Sequence, residues 1–190
     1  MGVKRIIKSL IGRVRILLSG VHGEGSVYIG SRFKVVNGAN VRLGHGVSIR
    51  PDVDIFAEGL IKIGARSDIG SRNRISGTVT IEDAVLVGPD NYISSVDHDY
   101  SDISRPILDC GGRCGRKNGH SEVLIGEGSW IGTHCAIIGD VHIGKHCVVG
   151  ANSVVTKDVP DYCVVCGAPA KVVKRYDFDL GKWLSTGLCD

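Results

Sequence analysis

Apolar residues recur at every sixth position over the second half of the chain. The run comprises Ile125, Ile131, Ile137, Ile143, Val149 and Val155, and a glycine directly follows four of its members, at Gly126, Gly132, Gly144 and Gly150. A helix repeats its apolar face every three or four residues and a half-buried strand every two, so this period fits neither. A hexapeptide period is typical of a parallel β-helix, in which each short strand buries its apolar side by stacking on the coil below.

The same period extends towards the N-terminus with two shifts of phase. Its members there are Ile29, Val35 and Val41, then Leu43, Ile49 and Ile55, then Ile63, Ile69, Ile75, Ile81, Val87 and Ile93. We interpret the two shifts, of two residues each, as small corner insertions that leave the stacking intact. Glycine beside the apolar member fits a corner, where the backbone turns sharply or takes a positive φ. We therefore predict a parallel β-helix over residues 27–160.

One segment interrupts the repeat between Ile93 and Val123, and it is rich in polar residues and glycine. A loop this long inside a compact repeat array is usually functional or disordered, so we predict a protruding loop over residues 94–122. After Val155 the chain leaves the β-helix, because Pro160 and Pro169 oppose a simple continuation. Residues 161–190 are predicted to form a C-terminal tail.

The first 20 residues differ in composition from the rest. A helical apolar stripe is formed by Ile6, Ile7, Leu10, Ile11, Val14 and Leu17 or Leu18, beside the basic residues Lys4, Arg5, Lys8, Arg13 and Arg15. Two compatible interpretations stay open. A short amphipathic helix over residues 1–22 caps the open lower end of the β-helix, or it lies on an anionic membrane surface. The cap is the preferred interpretation.

Composition and charge narrow the class of protein. With 27 Gly and only 5 Pro in 190 residues, the chain suits one all-β repeat domain better than disorder. A formal net charge of +3 is too small to indicate nucleic-acid binding. Seven cysteines are an odd number and no secretory signal precedes them, so a reduced, cytoplasmic protein is expected. No apolar run is long enough to predict a membrane-spanning helix.

Several motifs together resemble those of the hexapeptide-repeat acyltransferases. They are the hexads, the long loop that carries His98, the WIG at residues 130–132, and the closing GANSVVTKDVP and VCGAPAKVVKR. The resemblance covers about residues 27–176 and is closest to the maltose, galactoside and capsular-polysaccharide O-acetyltransferase branch. It implies a left-handed β-helix with three hexads per coil, a homotrimer with active sites between subunits, and acetyl-CoA as the donor.

The resemblance also implies which residues carry the chemistry. His98 lies in VDHDY at residues 96–100, which matches the family's loop histidine, and imidazole near neutral pH is suited to taking a proton from a sugar hydroxyl. Asp97 and Asp99 flank it and are candidates to hold the imidazole or the acceptor. Asn91 is implied to contact the acceptor. A donor set is implied as well: Trp130, Thr133, Ala151, Thr156, Lys157, Lys171, Lys174 and Arg175. Trp130 packing between subunits and a solvated basic tail stay open as alternatives.

The cysteines raise the alternative of a metal site. Cys110 and Cys114 lie near His120, and Cys163 and Cys166 form a CxxC, which are ligand types that zinc uses. Free thiols are preferred, and no metal is expected, because the family varies at these positions. Two further cysteines sit at equivalent coil positions and are predicted to pack in the core, Cys135 and Cys147.

The sequence thus predicts a cytoplasmic, acetyl-CoA-dependent O-acetyltransferase. Its acceptor is expected to be a sugar or a sugar-containing intermediate of surface-polysaccharide biosynthesis, with direct transfer and a peripheral membrane contact through residues 1–20 as an option. Two alternatives stay open. One is an N-acetyltransferase on an amino-sugar nucleotide or a serine O-acetyltransferase, and the other is a non-catalytic β-helix scaffold or metal-binding module. The loop after Pro106 departs from the family pattern, so the acceptor is left open.

Overall fold

The structure is a computed structural model that describes residues 12, 14–110, 113–114 and 121–187. Its short 3-10 helices are Gly38–Asn40 and Ile107–Asp109, and residues 14–19 are α-helical. The strands are β1 (His22–Gly23), β2 (Tyr28–Ile29), β3 (Lys34–Val36), β4 (Val41–Leu43), β5 (Ser48–Ile49), β6 (Asp54–Phe56), β7 (Ile61–Ile63), β8 (Asp68–Ile69), β9 (Arg74–Ser76), β10 (Val79–Ile81), β11 (Leu86–Val87), β12 (Tyr92–Ser94), β13 (Asp97–His98), β14 (Arg113–Cys114), β15 (Val123–Ile125), β16 (Trp130–Ile131), β17 (Ala136–Ile138), β18 (Val141–Ile143), β19 (Val148–Val149), β20 (Val154–Val155), β21 (Cys163–Cys166), β22 (Lys171–Asp177) and β23 (Lys182–Ser185).

Three parallel sheets form the walls of a solenoid. Sheet A is β1-β4-β7-β10-β15-β18, sheet B runs β2-β5-β8-β11-β16-β19-β21, and sheet C is β3-β6-β9-β12-β17-β20. Each coil adds one strand to A, then B, then C. Ile125 pairs with Ile143 and Ile131 with Val149, a step of 18 residues or three hexads per coil. The parallel β-helix predicted from the period of six is confirmed.

Departures from the 18-residue coil fall at one corner, where the chain passes from sheet C to sheet A. Short insertions lie there between β3 and β4 and between β6 and β7, and the long loop lies there between β12 and β15. Val79 still pairs with Val123 across the loop. The sheets keep their register because each insertion lies outside the ladders. We call this position the C–A corner.

The interior of the solenoid is aliphatic, as the hexads predict. The six periodic residues from Ile125 to Val155 are at most 1% exposed. Steric contact explains why glycine follows several of the periodic residues along the solenoid. A Cβ at Gly88 would lie 2.6 Å from the carbonyl oxygen of Gly132, and one at Gly126 would lie 2.6 Å from the carbonyl carbon of Gly144. These glycines permit close stacking of successive coils.

The helix at residues 14–19 packs against the first coil through Ile16, which lies on the core. The Arg15 guanidinium donates to the carbonyl of Ile29 at 2.6 Å. Val14, Leu17 and Leu18 are exposed. The apolar stripe predicted from the sequence included Val14 and Leu17 but not Ile16, so the packed face differs from the prediction. The earlier stripe residues lie outside the described part of the chain.

The solenoid continues past residue 160, where the sequence analysis placed the start of the tail. Val159 bridges to Ile143, and β21 pairs in parallel with β19 through Val148 and Val164. Pro160 lies between them in a corner, so its missing N–H interrupts no strand. Two antiparallel strands, β22 and β23, then extend sheet B. Among the described residues, none of the helices is long and apolar enough to cross a membrane.

Candidate functional site

A cleft of about 270 Å³ lies between the outer face of sheet C and the long loop. The loop lines it with Val96, Asp97 and His98, and His98 lies opposite Arg113 in the antiparallel pair β13–β14. The lining residues come from four strands and from the segments that follow β6 and β12: Phe56, Glu58, Arg74, Ser76, Tyr92, Val96, Asp97 and His98. The structure therefore brings the predicted loop histidine and Asp97 to one face of the β-helix.

The imidazole of His98 is exposed in this cleft. Within the described residues, the hydrogen bond recorded for His98 comes from its backbone N–H, which donates to the Asp97 carboxylate at 2.8 Å. A ring nitrogen is thus left for a ligand. An imidazole with a free ring nitrogen can accept a proton from a bound hydroxyl group.

The two flanking carboxylates do not orient this ring in the structure. Asp97 accepts the backbone N–H of His98, and Asp99 accepts the backbone N–H and the hydroxyl of Ser101 at 2.9 and 2.7 Å. The bonds from Ser101 lower the pKa of the Asp99 carboxyl. Asp99 therefore stabilises the turn that follows His98, while Asp97 lies on the wall of the cleft.

Asn91, predicted to contact the acceptor, is only 2% exposed. Its amide donates to the carbonyl of Gly88 at 2.8 Å, and its side-chain oxygen accepts the backbone N–H of Cys135 at 2.7 Å. Its own backbone N–H donates to the Asn73 side chain. The side chain of Asn91 is therefore occupied by the solenoid and leaves no exposed surface for an acceptor.

The sheet C side of the cleft was missed by reasoning from the sequence. Arg74 lies between Asp54 and Tyr92 in the ladder, and its guanidinium carbon is 4.5 Å from the centre of the Phe56 ring. Ser76, one residue pair further along β9, is buried and donates to the Ser94 hydroxyl at 2.9 Å. The sequence could have indicated these residues, because outward-facing residues one coil apart become neighbours in such a solenoid.

The predicted donor residues are exposed or partly exposed, but they lie around the solenoid rather than in the His98 cleft. Thr156 and Lys157 follow β20 at the C–A corner, two coils beyond the start of the loop. Trp130 is 51% exposed on sheet B. The others lie at the corner between sheets B and C or on β22: Thr133, Ala151, Lys171, Lys174 and Arg175. One chain therefore does not gather these residues with His98.

The cysteines do not form a common metal site in the described part of the chain, where groups of three candidate ligands are lacking. Cys163 points into the core and Cys166 is separated from it by three positions of a strand, so their side chains lie on opposite faces. Cys135 and Cys147 are buried in the core, as predicted, and burial raises the pKa of each thiol. The side chain of Cys114, together with His120, lies outside the described residues.

A comparison with family models agrees with this geometry. The model "bacterial transferase hexapeptide (six repeats)" matches residues 122–157. This stretch supplies β15 to β20, two full coils of three hexads each. Residues 122–157 therefore carry the repeat of this transferase family, and the hexapeptide resemblance found in the sequence motifs is confirmed there.

Two curated members of the family show how far the likeness extends. A probable acetyltransferase of Mycobacterium tuberculosis is 37% identical over 140 residues, which are 72% of this chain and 45% of that protein. WbbJ of Escherichia coli, provisionally named a lipopolysaccharide biosynthesis O-acetyl transferase, is 28% identical over 169 residues, 86% of this chain and 79% of WbbJ. The match thus spans less than half of the mycobacterial relative and most of WbbJ.

A solved structure extends the likeness of fold. A mutant of the N-acyltransferase AntD from Bacillus cereus, in complex with dTDP-4-amino-4,6-dideoxyglucose and coenzyme A, superposes with a TM-score of 0.72 at 18% identity. The match covers 88% of this chain and 90% of AntD. At that identity it supports the β-helical fold of the hexapeptide-repeat transferases.

Proposed function

We propose that this protein is an acetyl-CoA-dependent O-acetyltransferase whose acceptor is a sugar or sugar-containing intermediate of surface-polysaccharide biosynthesis. The observation that carries the proposal is the exposed His98 imidazole in a cleft on the wall of a hexapeptide solenoid. Support comes from relatives with acetyltransferase names, one of them assigned to lipopolysaccharide biosynthesis, and from the coenzyme A held by AntD.

His98 is the general base in this proposal. Its free ring nitrogen takes the proton of an acceptor hydroxyl while that oxygen attacks the thioester carbonyl of acetyl-CoA. The tetrahedral oxyanion then collapses, the carbon–sulfur bond breaks, and the leaving CoA sulfur receives the proton from the imidazolium. The acetyl group passes directly to the acceptor without a covalent enzyme intermediate. Asp97 is the acceptor contact beside the base, and Asp99 supports the turn.

The donor residues extend the proposal to a homotrimer. We place the pantetheine arm along the later coils, beside Trp130, Thr133, Ala151, Thr156 and Lys157. Lys171, Lys174 and Arg175 provide charge for the phosphates. Trp130 and the residues on β22 lie on sheet B rather than beside the His98 cleft, so in this proposal a second copy brings a donor to each histidine. A column of apolar side chains on sheet B offers a contact surface: Leu86, Trp130, Val148 and Val164. Light scattering that gives the mass of one chain would refute the trimer.

A cytoplasmic location with a peripheral membrane contact completes the proposal. Free thiols in the described part of the chain suit a reducing compartment: Cys110, Cys135, Cys147, Cys163 and Cys166.

The membrane contact rests on the N-terminal segment. Leu17 and Leu18 are exposed there, at 83% and 81%, and the segment carries five Lys or Arg residues before its first acidic residue, Glu24. Such a segment suits the surface of an anionic membrane. Equal sedimentation with phosphatidylcholine vesicles, with and without phosphatidylglycerol, would exclude that contact.

The decisive experiment follows CoA release from acetyl-CoA by the full chain. Acceptors are neutral sugars, acidic sugars, sugar phosphates, an amino-sugar nucleotide and serine, and binding of acetyl-CoA is measured separately by calorimetry. Turnover with a sugar hydroxyl supports the proposal. Turnover confined to the amino-sugar nucleotide or serine moves the protein to the alternative enzyme class. Failure to bind acetyl-CoA at millimolar concentration favours the non-catalytic scaffold.

A further inference from the structure

Three arginines along the lower coils are each paired with an aspartate one coil away. The guanidinium of Arg72 donates to both oxygens of Asp90 at 2.6 and 2.7 Å. Two further pairs have the same two-bond form, Arg32 with Asp52 and Arg50 with Asp68. A planar guanidinium matches a carboxylate in this way, and the solenoid provides the partner at each coil.

Arg74 departs from this pattern although an aspartate is within its reach along the ladder. Asp54 is its direct neighbour in β6, yet in the described part of the chain Arg74 forms no ion pair with it or with any other carboxylate. Its guanidinium instead stacks on Phe56, with 4.5 Å from the guanidinium carbon to the ring centre. Stacking uses the flat face and leaves the N–H groups at the edge available for a ligand.

The unpaired guanidinium lies in the same cleft as the exposed imidazole. Arg74 is the one Lys or Arg among the described lining residues, and two carboxylates, Glu58 and Asp97, line the cleft too. Asp97 accepts the backbone N–H of His98, and Glu58 has an interaction of its own. Tyr92 is next to Arg74 in the ladder and presents an exposed aromatic side chain. Sugar rings pack on such aromatic faces, so the cleft offers a saccharide an aromatic ring beside a cation.

We propose that Arg74 is an acceptor-specificity residue that selects a saccharide bearing an anionic substituent, either a carboxylate or a phosphate. This inference rests on the proposed acetyltransferase function. The substituent accepts two hydrogen bonds from the guanidinium, the sugar ring packs against Tyr92, and the hydroxyl to be acetylated points to His98. Charge-assisted, two-bond contacts of this kind are stronger and more directional than those to a neutral hydroxyl.

The test uses three matched acceptors, methyl glucoside, methyl glucuronide and glucose 1-phosphate, with the wild-type chain, Arg74→Gln and Arg74→Lys. We expect kcat/KM of the wild type to be at least about tenfold higher for one charged acceptor than for the neutral one. Arg74→Gln is expected to remove that preference while the KM for acetyl-CoA stays unchanged, and Arg74→Lys to restore part of it. The carboxylate and phosphate arms show which anion is recognised.

Arg72→Gln is the matched control, because Arg72 lies two residues away on the corner outside the cleft and is paired with Asp90. Its acceptor preference should equal that of the wild type. A wild-type preference for methyl glucoside, or an equal loss on all three acceptors in Arg74→Gln, would overturn the inference. If acetyl-CoA does not bind, the proposed function itself has failed. Calorimetry of methyl glucuronide and glucose 1-phosphate with the wild type and Arg74→Gln then still decides whether the anion site exists.

Discussion

The corner between sheets B and C and the cleft on sheet C carry the same kinds of polar residue, but they use them differently. At the corner, Arg72 is bonded to Asp90. The buried Asn91 side chain donates to the Gly88 carbonyl of its own coil and accepts the Cys135 N–H of the next coil. In the cleft, the side chains of Arg74 and His98 form no ion pair with a carboxylate in the described part of the chain.

The difference separates structural residues from residues available to a ligand. A repeat fold offers each polar side chain a partner one coil above or below, so a paired residue is explained by stacking. Two arginines only two positions apart, Arg72 and Arg74, fall into opposite groups for this reason. Polar residues on the wall of a cleft whose side chains are not bonded to a neighbouring coil are the better candidates for function.

The largest effect is expected at the unpaired histidine. His98→Ala removes the base that takes the acceptor proton, so kcat should fall by about a hundredfold or more, the usual scale for such a group. The unfolding midpoint in urea should not change, because the ring is exposed and unpaired. CoA release under saturating acetyl-CoA measures the first quantity, and circular dichroism measures the second.

His142→Ala is the matched control for that experiment. His142 is an exposed strand histidine on sheet A, away from the cleft. Its backbone N–H donates to Asp158 and its backbone carbonyl accepts the N–H of Val159. Its turnover should equal that of the wild type. A His98→Ala protein that retains more than about a third of the wild-type kcat would remove the general base from the mechanism.

A paired residue should behave in the opposite way. Asn91→Ala leaves the buried N–H of Cys135 without an acceptor and opens a small cavity, so we expect a loss of about 2–4 kcal/mol in the free energy of unfolding. Turnover per folded molecule should be retained at low temperature. Lys62→Ala, exposed on sheet A, should stay within about 0.5 kcal/mol of the wild type. Loss of turnover at unchanged stability would instead make Asn91 the acceptor contact expected from the sequence.

The fold could be predicted far better than the site, for a physical reason. The apolar position of each hexad predicts a buried residue, since Ile137 and its equivalents point into one core. The absence of hexads predicted the loop. The cleft depends on which outward residues stack one coil apart, as Arg74 does between Asp54 and Tyr92, and this needs the exact length of each corner. Asn91 was misleading because its type suits either a ligand or a corner carbonyl.

The end of the chain teaches the same lesson. Pro160 and Pro169 were interpreted as opposing a continuation of the β-helix, yet β21 lies between them and adds one more strand to sheet B. A proline stops a strand only where its nitrogen would have to donate, and the corner before β21 makes no such demand. A proline therefore indicates the end of a β-helix only if it would lie in a strand and not in a corner.

The smallest effect is expected at the corner ion pair, and it depends on pH. The hydrogen bonds from Arg72 hold the pKa of the Asp90 carboxyl below its usual range, and the charge of His134 acts in the same direction. A carboxyl with a lowered pKa in the folded state stabilises the protein above its unfolded pKa of about 4, and this contribution is lost as the pH falls through the folded value. Asp90→Asn should therefore lower the urea midpoint slightly at neutral pH and leave it unchanged in strong acid. The change is small because an exposed pair contributes little.

Asp179→Asn is the control. Asp179 is exposed in the turn between β22 and β23, and its replacement should change the urea midpoint at neither pH. If the Asp90→Asn protein keeps the wild-type midpoint at every pH, the ion pair between Arg72 and Asp90 contributes nothing to stability. The structural role of the corner would then rest on its buried residues Asn73 and Asn91.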